Sequence, residues 1–330
     1  KQGMKLLEEE IKDSKKTTLA GELIFKLYDT YGFPVDLTRD LAQENELSLD
    51  IAGYEKLMAT QRANAKKESR FEALLPAAID LDDETKFVGY EDSSTESEIK
   101  LIFKNGKEVK SASEGECMIV HDSTPFYGES GGQVGDKGKL SAKGLEIEVL
   151  DTQKIGNFHL HISKIKKGSI KLNDRVKAEI NTERRRAIVS NHSATHLMHS
   201  ALRNILGEHV QQKGSLVNEE KLRFDFSHKQ KLSESEIVKI EQEVNQAITS
   251  AEDTQIIETS IEESQKLGAI AFFGEKYGDQ VRVLKIAGDY STELCGGTHV
   301  KNSAEIKSFK IISESSISSG VDDNFNKFFL

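Results

Sequence analysis

The sequence predicts an α+β protein in three parts. A helical N-terminal segment spans residues 1–80, a small β-barrel residues 81–183, and an α+β core residues 184–321, with an atypical tail at 322–330. Three observations carry this reading. Apolar residues recur at helical spacing as far as about residue 75, short apolar stretches broken by glycine follow, and helical and strand patterns then alternate around two His/Cys pairs. At 330 residues the chain is too long for one typical core and fits two or three domains.

In the first part, Leu6, Leu7 and Ile11 share one helical face. Leu19, Leu23, Ile24 and Leu27 make a second helix that stops near Tyr31-Gly32-Phe33-Pro34, where glycine and proline end it. A third runs through Leu57, Met58 and Arg62 into the charged stretch Ala65-Lys66-Lys67-Glu68. In the second part, Ile99–Phe103 and Glu108–Lys110 flank Asn105-Gly106, a strong hairpin signal. Glu116–His121, Leu145–Leu150, Phe158–Ile162 and Arg175–Ile180 continue the pattern, and six or more short strands at this spacing suit a small barrel. In the third, a long helix carries His192 and His196, uses Ile188, Leu202, Ile205 and Leu206 as core contacts, and ends at Gly207. A strand follows at Leu222–Phe226. Ser233 and Glu236 form a capping box for a helix bearing Ile237, Ile240, Val244 and Ile248. Further strands are expected at Thr254–Ile261, Val281–Ile286 and Ile306–Ile312, and no internal repeat is visible.

Composition excludes several classes. A mean hydropathy of −0.49, no apolar run of membrane-spanning length and no signal peptide argue against a membrane protein. Two cysteines, Cys117 and Cys295, exclude a disulfide scaffold and fit a reducing cytoplasm. The net charge of −10 gives no global attraction for nucleic acid, although the runs Lys66-Lys67, Lys164–Lys167 and Arg184-Arg185-Arg186 are local basic patches on what otherwise reads as solvated surface. The chain opens inside a helical pattern, as a piece of a longer protein would.

The most informative motifs are His192-Ser193-Ala194-Thr195-His196 and Cys295-Gly296-Gly297-Thr298-His299. On a helix, His192 and His196 lie one turn apart on the same face. The two glycines let the backbone bring Cys295 and His299 back onto the same point. A His/His/Cys/His set suits tetrahedral zinc. His199, three residues after His196, reads as a neighbour because four ligands already fill the tetrahedron. The helical pair lacks the glutamate of His-Glu-x-x-His, which sets a zincin-type protease aside. Four protein ligands point to a closed site, whereas a weak ligand would open a position for water; the spacing leaves both open.

Gly128-Glu129-Ser130-Gly131-Gly132-Gln133-Val134-Gly135-Asp136 is glycine-dense but has no P-loop ending. It reads either as an ordinary barrel loop or as a backbone wall that approaches a ligand closely. Gln211-Gln212-Lys213-Gly214-Ser215 reads first as a polar turn, second as a holder of a polar substrate.

Taken together, Asn191–Leu197, Gln212–Val217, Glu293–Val300 and Phe126–Gln133 resemble the editing region of bacterial-type alanyl-tRNA synthetases. Leu27–Pro34 is similar to the stretch that joins this family's tRNA-recognition helices to its editing domain, and the resemblance runs from about Gln2 to Val321. It implies a zinc-bearing editing domain that hydrolyses the ester of tRNA(Ala) mischarged with serine or glycine. By position it implies His192, His196, Cys295 and His299 as zinc ligands, Gln212 beside the substrate, and Thr195 sensing the serine hydroxyl. Such a second site makes physical sense, because a pocket built for alanine cannot strongly reject glycine or serine. Gly131, Gly132 and Gln133 would then line the approach of the RNA 3′ end, and Arg184, Arg185 and Arg186 would track phosphates with a strongly salt-dependent affinity.

The family's ATP-using activation domain and its C-terminal domain have no counterpart in this sequence. After Val321 the family continues with basic residues, where this chain reads Asp322–Leu330. Membrane and DNA partners are not expected. The alternatives are a free-standing trans-editing deacylase, an RNA-binding module with a structural zinc and, more distantly, a general zinc amidohydrolase.

Overall fold

The computed structural model describes residues 6–7, 10, 17–29, 35–45, 47–58, 84–228, 230–271, 278–319 and 323–329. Contacts divide the chain into two units, Lys1–Pro76 and Ala77–Leu330. In the first, β1 (Thr18–Leu19) pairs in parallel with β2 (Ser48–Leu49), and helices α1 (Gly21–Asp29), α2 (Val35–Glu44) and α3 (residues 51–58) surround them. Leu7, Leu19, Leu27 and Ala42 form the core. Leu19, expected inside the second helix, lies instead in β1, and the helix begins after Ala20, whose carbonyl accepts from Ile24 N. Most of the expected first helix, the Tyr31–Pro34 stop and the stretch from Arg62 to Glu68 lie outside the described residues.

The second unit opens with β3 (Lys86–Phe87), then β4 (Ser94–Lys104), β5 (Lys107–Glu108), β6 (Ser111–Ala112), β7 (Gly115–His121) and β8 (Ser123–Thr124). It continues with β9 (Gly138–Ala142), β10 (Leu145–Ile155), β11 (Phe158–Lys167), β12 (Ile170–Lys171) and β13 (Arg175–Ile180). The order β13-β9-β10-β11-β7-β4 closes on itself through β13–β4 pairing, giving a six-stranded barrel. Asn105 and Gly106, both at positive φ (52° and 72°), make the tight β4–β5 turn that the sequence signals. Ile99, Ile102, Ile119, Leu140, Ile147 and Val176 fill the interior with Cys117, whose thiol burial pushes up to about 11.

The barrel leads into α4 (Thr182–Leu206), 25 residues long. The Asn181 side chain accepts from Arg184 N at its start, and Gly207 ends it. From His192 to Leu202 every residue is buried, so this helix is a central element rather than a surface one. It packs with α5 (Glu234–Thr249), which opens with the Ser233/Glu236 capping box that the sequence signals. Two antiparallel sheets complete the layer. One contains β14 (Gln212–Val217) and β15 (Leu222–Ser227), and the other β16 (Gln255–Ser260), β17 (Gln280–Ile286) and β18 (Ser291–Leu294), with α6 (Ile261–Lys266) between β16 and β17. β19 (Ser313–Ser319) and β20 (Asp323–Phe329) extend the first sheet in the order β14-β15-β20-β19, so most of the tail is strand. Phe224 and Phe226 are fully buried in this core, each stabilising it by roughly 2–3 kcal/mol.

Two local expectations are corrected. Gln212–Val217 is a strand paired with β15, not a polar turn: a mixed polar stretch is held by its ladder. Ile306–Ile312 is not a strand; a 3₁₀ turn at Ser303–Ile306 leads into irregular chain. Ile306, Phe309 and Ile311 are buried all the same, because side chains of α5 serve the backbone where a neighbouring strand would. Asn245 donates to Phe309 O (2.9 Å) and accepts from Phe309 N (2.9 Å), and Glu241 accepts from Ile311 N (2.8 Å).

Candidate metal centre and the adjoining cleft

His192 and His196 project from α4, and Cys295 and His299 from the loop after β18. One ligand atom from each of these four side chains lies within 4.8 Å of every other. Cys295 Sγ sits 3.7 Å from His192 Nε2 and 3.3 Å from His299 Nε2. A tetrahedral ion with bonds of about 2.3 Å to sulfur and 2.05 Å to nitrogen requires a sulfur–nitrogen edge of roughly 3.5 Å. The cluster therefore has the dimensions of a metal site.

Each imidazole is oriented by a partner on its other nitrogen. Gln133 Oε1 accepts from His192 Nδ1 (2.8 Å) and from Thr298 N (3.0 Å), while Gln133 Nε2 donates to Thr298 Oγ1 (2.8 Å). The backbone donor identifies Oε1 as the acceptor, so the His192 proton is on Nδ1 and Nε2 faces the cluster. Glu293 accepts from His196 Nδ1 (2.5 Å) on one oxygen and from His199 Nδ1 (2.8 Å) on the other. Ser193 Oγ lies 3.2 Å from His299 Nδ1 and accepts from Val300 N (3.1 Å). Carboxylate, amide and hydroxyl partners of this kind fix the tautomer of metal-binding histidines.

The electrostatics favour a cation. Burial alone raises the Cys295 thiol, but His192, His299 and His196 outweigh it and hold the group well below the ordinary thiol range. Burial lowers His196, yet Glu293 and Cys295 lift it to about 10. Burial leads in holding His299 down to about 3, in the neutral form that ligates. Burial disfavours the Glu293 carboxylate, and His196 and His199 reverse that, bringing it to about 2. Two anionic groups, Glu293 and Cys295, thus flank the His196 imidazole, an arrangement that favours positive charge there. Gly297 is required here, since a Cβ would fall 2.6 Å from His192 Nδ1 and strike the ring.

A cleft of about 490 Å³ opens over the cluster. Thr195, Gln212, Ser215 and Gly296 line it together with His192, His196 and Cys295, and Tyr127, Gly131, Lys154 and His159 come from the barrel segment. Thr195 donates its hydroxyl hydrogen to Asn191 O (2.9 Å), which leaves the oxygen lone pairs available as acceptors.

A profile of the tRNA synthetases class II (A) matches residues 1–184, and one of the threonyl and alanyl tRNA synthetase second additional domain matches residues 281–322. The chain belongs to the alanyl-type class II tRNA synthetases. Alanine–tRNA ligases from Idiomarina loihiensis, Saccharophagus degradans and Hydrogenovibrio crunogenus are 48%, 47% and 50% identical over 320 residues. Each alignment covers 97% of this chain and 37% of the relative, so the chain spans little more than a third of those proteins' length.

Within this alanyl-type chain, three sequence expectations are corrected. Gln133 is fully buried and orients His192 rather than lining the cleft. Gly132, at φ +83°, lies against Ser215, whose carbonyl would meet a Cβ at 2.6 Å, so of the two glycines it is Gly131 that faces the cleft. Arg184 pairs with Glu219 (2.9 Å) and donates to Gly135 O (2.7 Å). Arg185 pairs with Asp136 and donates to Gly89 O (2.7 Å) and Pro125 O (3.0 Å). Both guanidiniums are committed within the fold, and Arg186 alone of the three is exposed.

Sequence reasoning missed Glu293, Ser193 and Asp136 because each acts on a residue distant in sequence. Glu293 stands two residues before Cys295, and that adjacency was its only signal. No described helix is long and apolar enough to cross a membrane.

Proposed function

We propose that this chain is the editing part of an alanine–tRNA ligase, hydrolysing Ser-tRNA(Ala) and Gly-tRNA(Ala) in the cytoplasm, with zinc held by His192, His196, Cys295 and His299. The observation that carries the reading is that Thr195 and Gln212 line the same cleft as His192, His196 and Cys295 of the four-ligand cluster. The thiolate-plus-imidazole donor set and the edge lengths support zinc. Bound there by four protein ligands, zinc would tie α4 to the Cys295–His299 loop and supply fixed positive charge beneath the cleft.

The chain's own residues do the sorting. The lone pairs of Thr195 accept the hydroxyl of a seryl group, while an alanyl methyl finds no partner there. Gln212, with both an amide donor and an acceptor, is placed to hold the ester carbonyl or the attacking water. Arg186, rather than Arg184 or Arg185, is the member of the basic run placed to meet RNA phosphate.

The test is deacylation of Ser-, Gly- and Ala-tRNA(Ala) by the parent chain and by Thr195→Val. The valine variant should lose about two- to thirteenfold on the seryl ester, one hydrogen bond's worth, and keep its glycyl rate. Equal losses on both esters would remove Thr195 from serine recognition. Rapid loss of Ala-tRNA(Ala) would overturn the editing reading altogether.

A further inference from the structure

We infer that Tyr90, backed by Phe87, is the stacking platform for the 3′-terminal nucleobase of the substrate; this rests on the editing reading above. Any aminoacyl-RNA carries its amino acid on the ribose of the last nucleotide. A site that handles the ester must therefore house a nucleoside beside it. The cleft wall next to the cluster is aromatic: Phe87 and Tyr90 lie 4.8 Å apart at 81°, and His159 stacks on Phe87 at 5.4 Å.

Tyr90 is distinctive because it is both fixed and open. Its hydroxyl donates to Gly296 O (2.7 Å), inside the Cys295–His299 loop. The Arg282 guanidinium lies 4.1 Å from its ring centroid and also donates to Gly297 O (2.9 Å). Phe87 packs edge-on against it. Held at three points, Tyr90 is nonetheless 39% exposed and lines the cleft. A rigid aromatic side chain loses little entropy on binding, and stacking on it accepts any base. Lys154, on the same wall, is placed to meet the accompanying phosphate.

Tyr90 could instead serve only as a strut that holds the loop through its hydroxyl. Two substitutions separate the roles: Tyr90→Phe removes the strut and keeps the ring, and Tyr90→Leu removes both. Two measurements are made on the full chain, the KM and kcat of Ser-tRNA(Ala) deacylation and the affinity for the trinucleotide CpCpA by titration calorimetry. An analogue with an abasic third position serves as the control.

The platform predicts that Tyr90→Phe stays within twofold of the parent in both measurements. Tyr90→Leu should raise KM and the trinucleotide Kd about 5- to 150-fold with kcat unchanged, and the abasic analogue should bind the parent as weakly as CpCpA binds Tyr90→Leu. Equal affinity of Tyr90→Leu and Tyr90→Phe for CpCpA, or no detectable CpCpA binding by the parent, would overturn it. A parent chain that binds CpCpA through Tyr90 yet deacylates nothing would overturn the editing reading and leave the platform standing.

Discussion

Glu293→Gln is the most informative single perturbation of the metal centre, because it changes no shape. The carboxylate is 1% exposed and accepts one imidazole N–H on each oxygen, from His196 at 2.5 Å and His199 at 2.8 Å. Glutamine offers one acceptor and one donor. If its oxygen stays on His196, its amide N–H faces the His199 N–H, and His199 must switch tautomer or rotate. If the amide flips, His196 itself presents the wrong nitrogen to the cluster. In either case the substitution removes one of the two anions, Glu293 and Cys295, that would offset a bound ion's charge. Loss of such an outer partner typically weakens metal binding by about 10- to 100-fold, or roughly 1.4–2.7 kcal/mol. The assay is competition for zinc against a chromogenic chelator at pH 7.5, with circular dichroism and denaturant unfolding on the same samples. An affinity within twofold of the parent, with the fold intact, would refute the claim that Glu293 orients His196.

Further outcomes follow from the geometry. Gly297→Ala should abolish stoichiometric metal binding, measured by elemental analysis, because its methyl group takes the space of the His192 ring. Arg185→Ala should destabilise the second unit by about 3–5 kcal/mol in chemical unfolding, since it removes the cation paired with the buried Asp136 carboxylate and leaves it the Tyr127 N–H. Arg186→Ala should leave stability unchanged and reduce the salt slope of tRNA binding by about one.

The barrel should also lose stability below pH 6.5. Burial holds His161 at about 4 and His159 at about 3, and His121 well below its ordinary value, so the unfolded chain binds more protons than the folded one between pH 6.5 and 4. Each histidine then removes about 1.4 kcal/mol per pH unit well inside that window. Denaturant midpoints at pH 7 and pH 5 measure the loss. His121→Phe, which substitutes a ring whose nitrogens make no hydrogen bonds, should shrink it.

Where a feature depended on residues close in sequence, it was legible. The Asn105-Gly106 turn, the Ser233/Glu236 capping box and the one-turn spacing of His192 and His196 are written in patterns of a few residues. The His/His and Cys/His pairs were legible too, as two local motifs, and the fold brings them together. Ile306–Ile312 misled for a related reason. Alternating apolar residues signal burial on one side, but not that the backbone partners would be Asn245 and Glu241 of a helix.

What the sequence by itself determined was the kind of site: a soft thiolate with three imidazoles, two glycines that permit a tight approach, and hydroxyl and amide groups nearby. Only the tertiary structure decided which side chain does what. Gln133 sits 59 residues from His192, Glu293 lies 97 from His196, and Asp136 is 49 from Arg185. In sequence these look like a glycine-loop amide, an ordinary acid and a basic run fit for RNA. Burial decides otherwise, because a polar group removed from water must find its partner inside the fold, wherever along the chain that partner happens to lie.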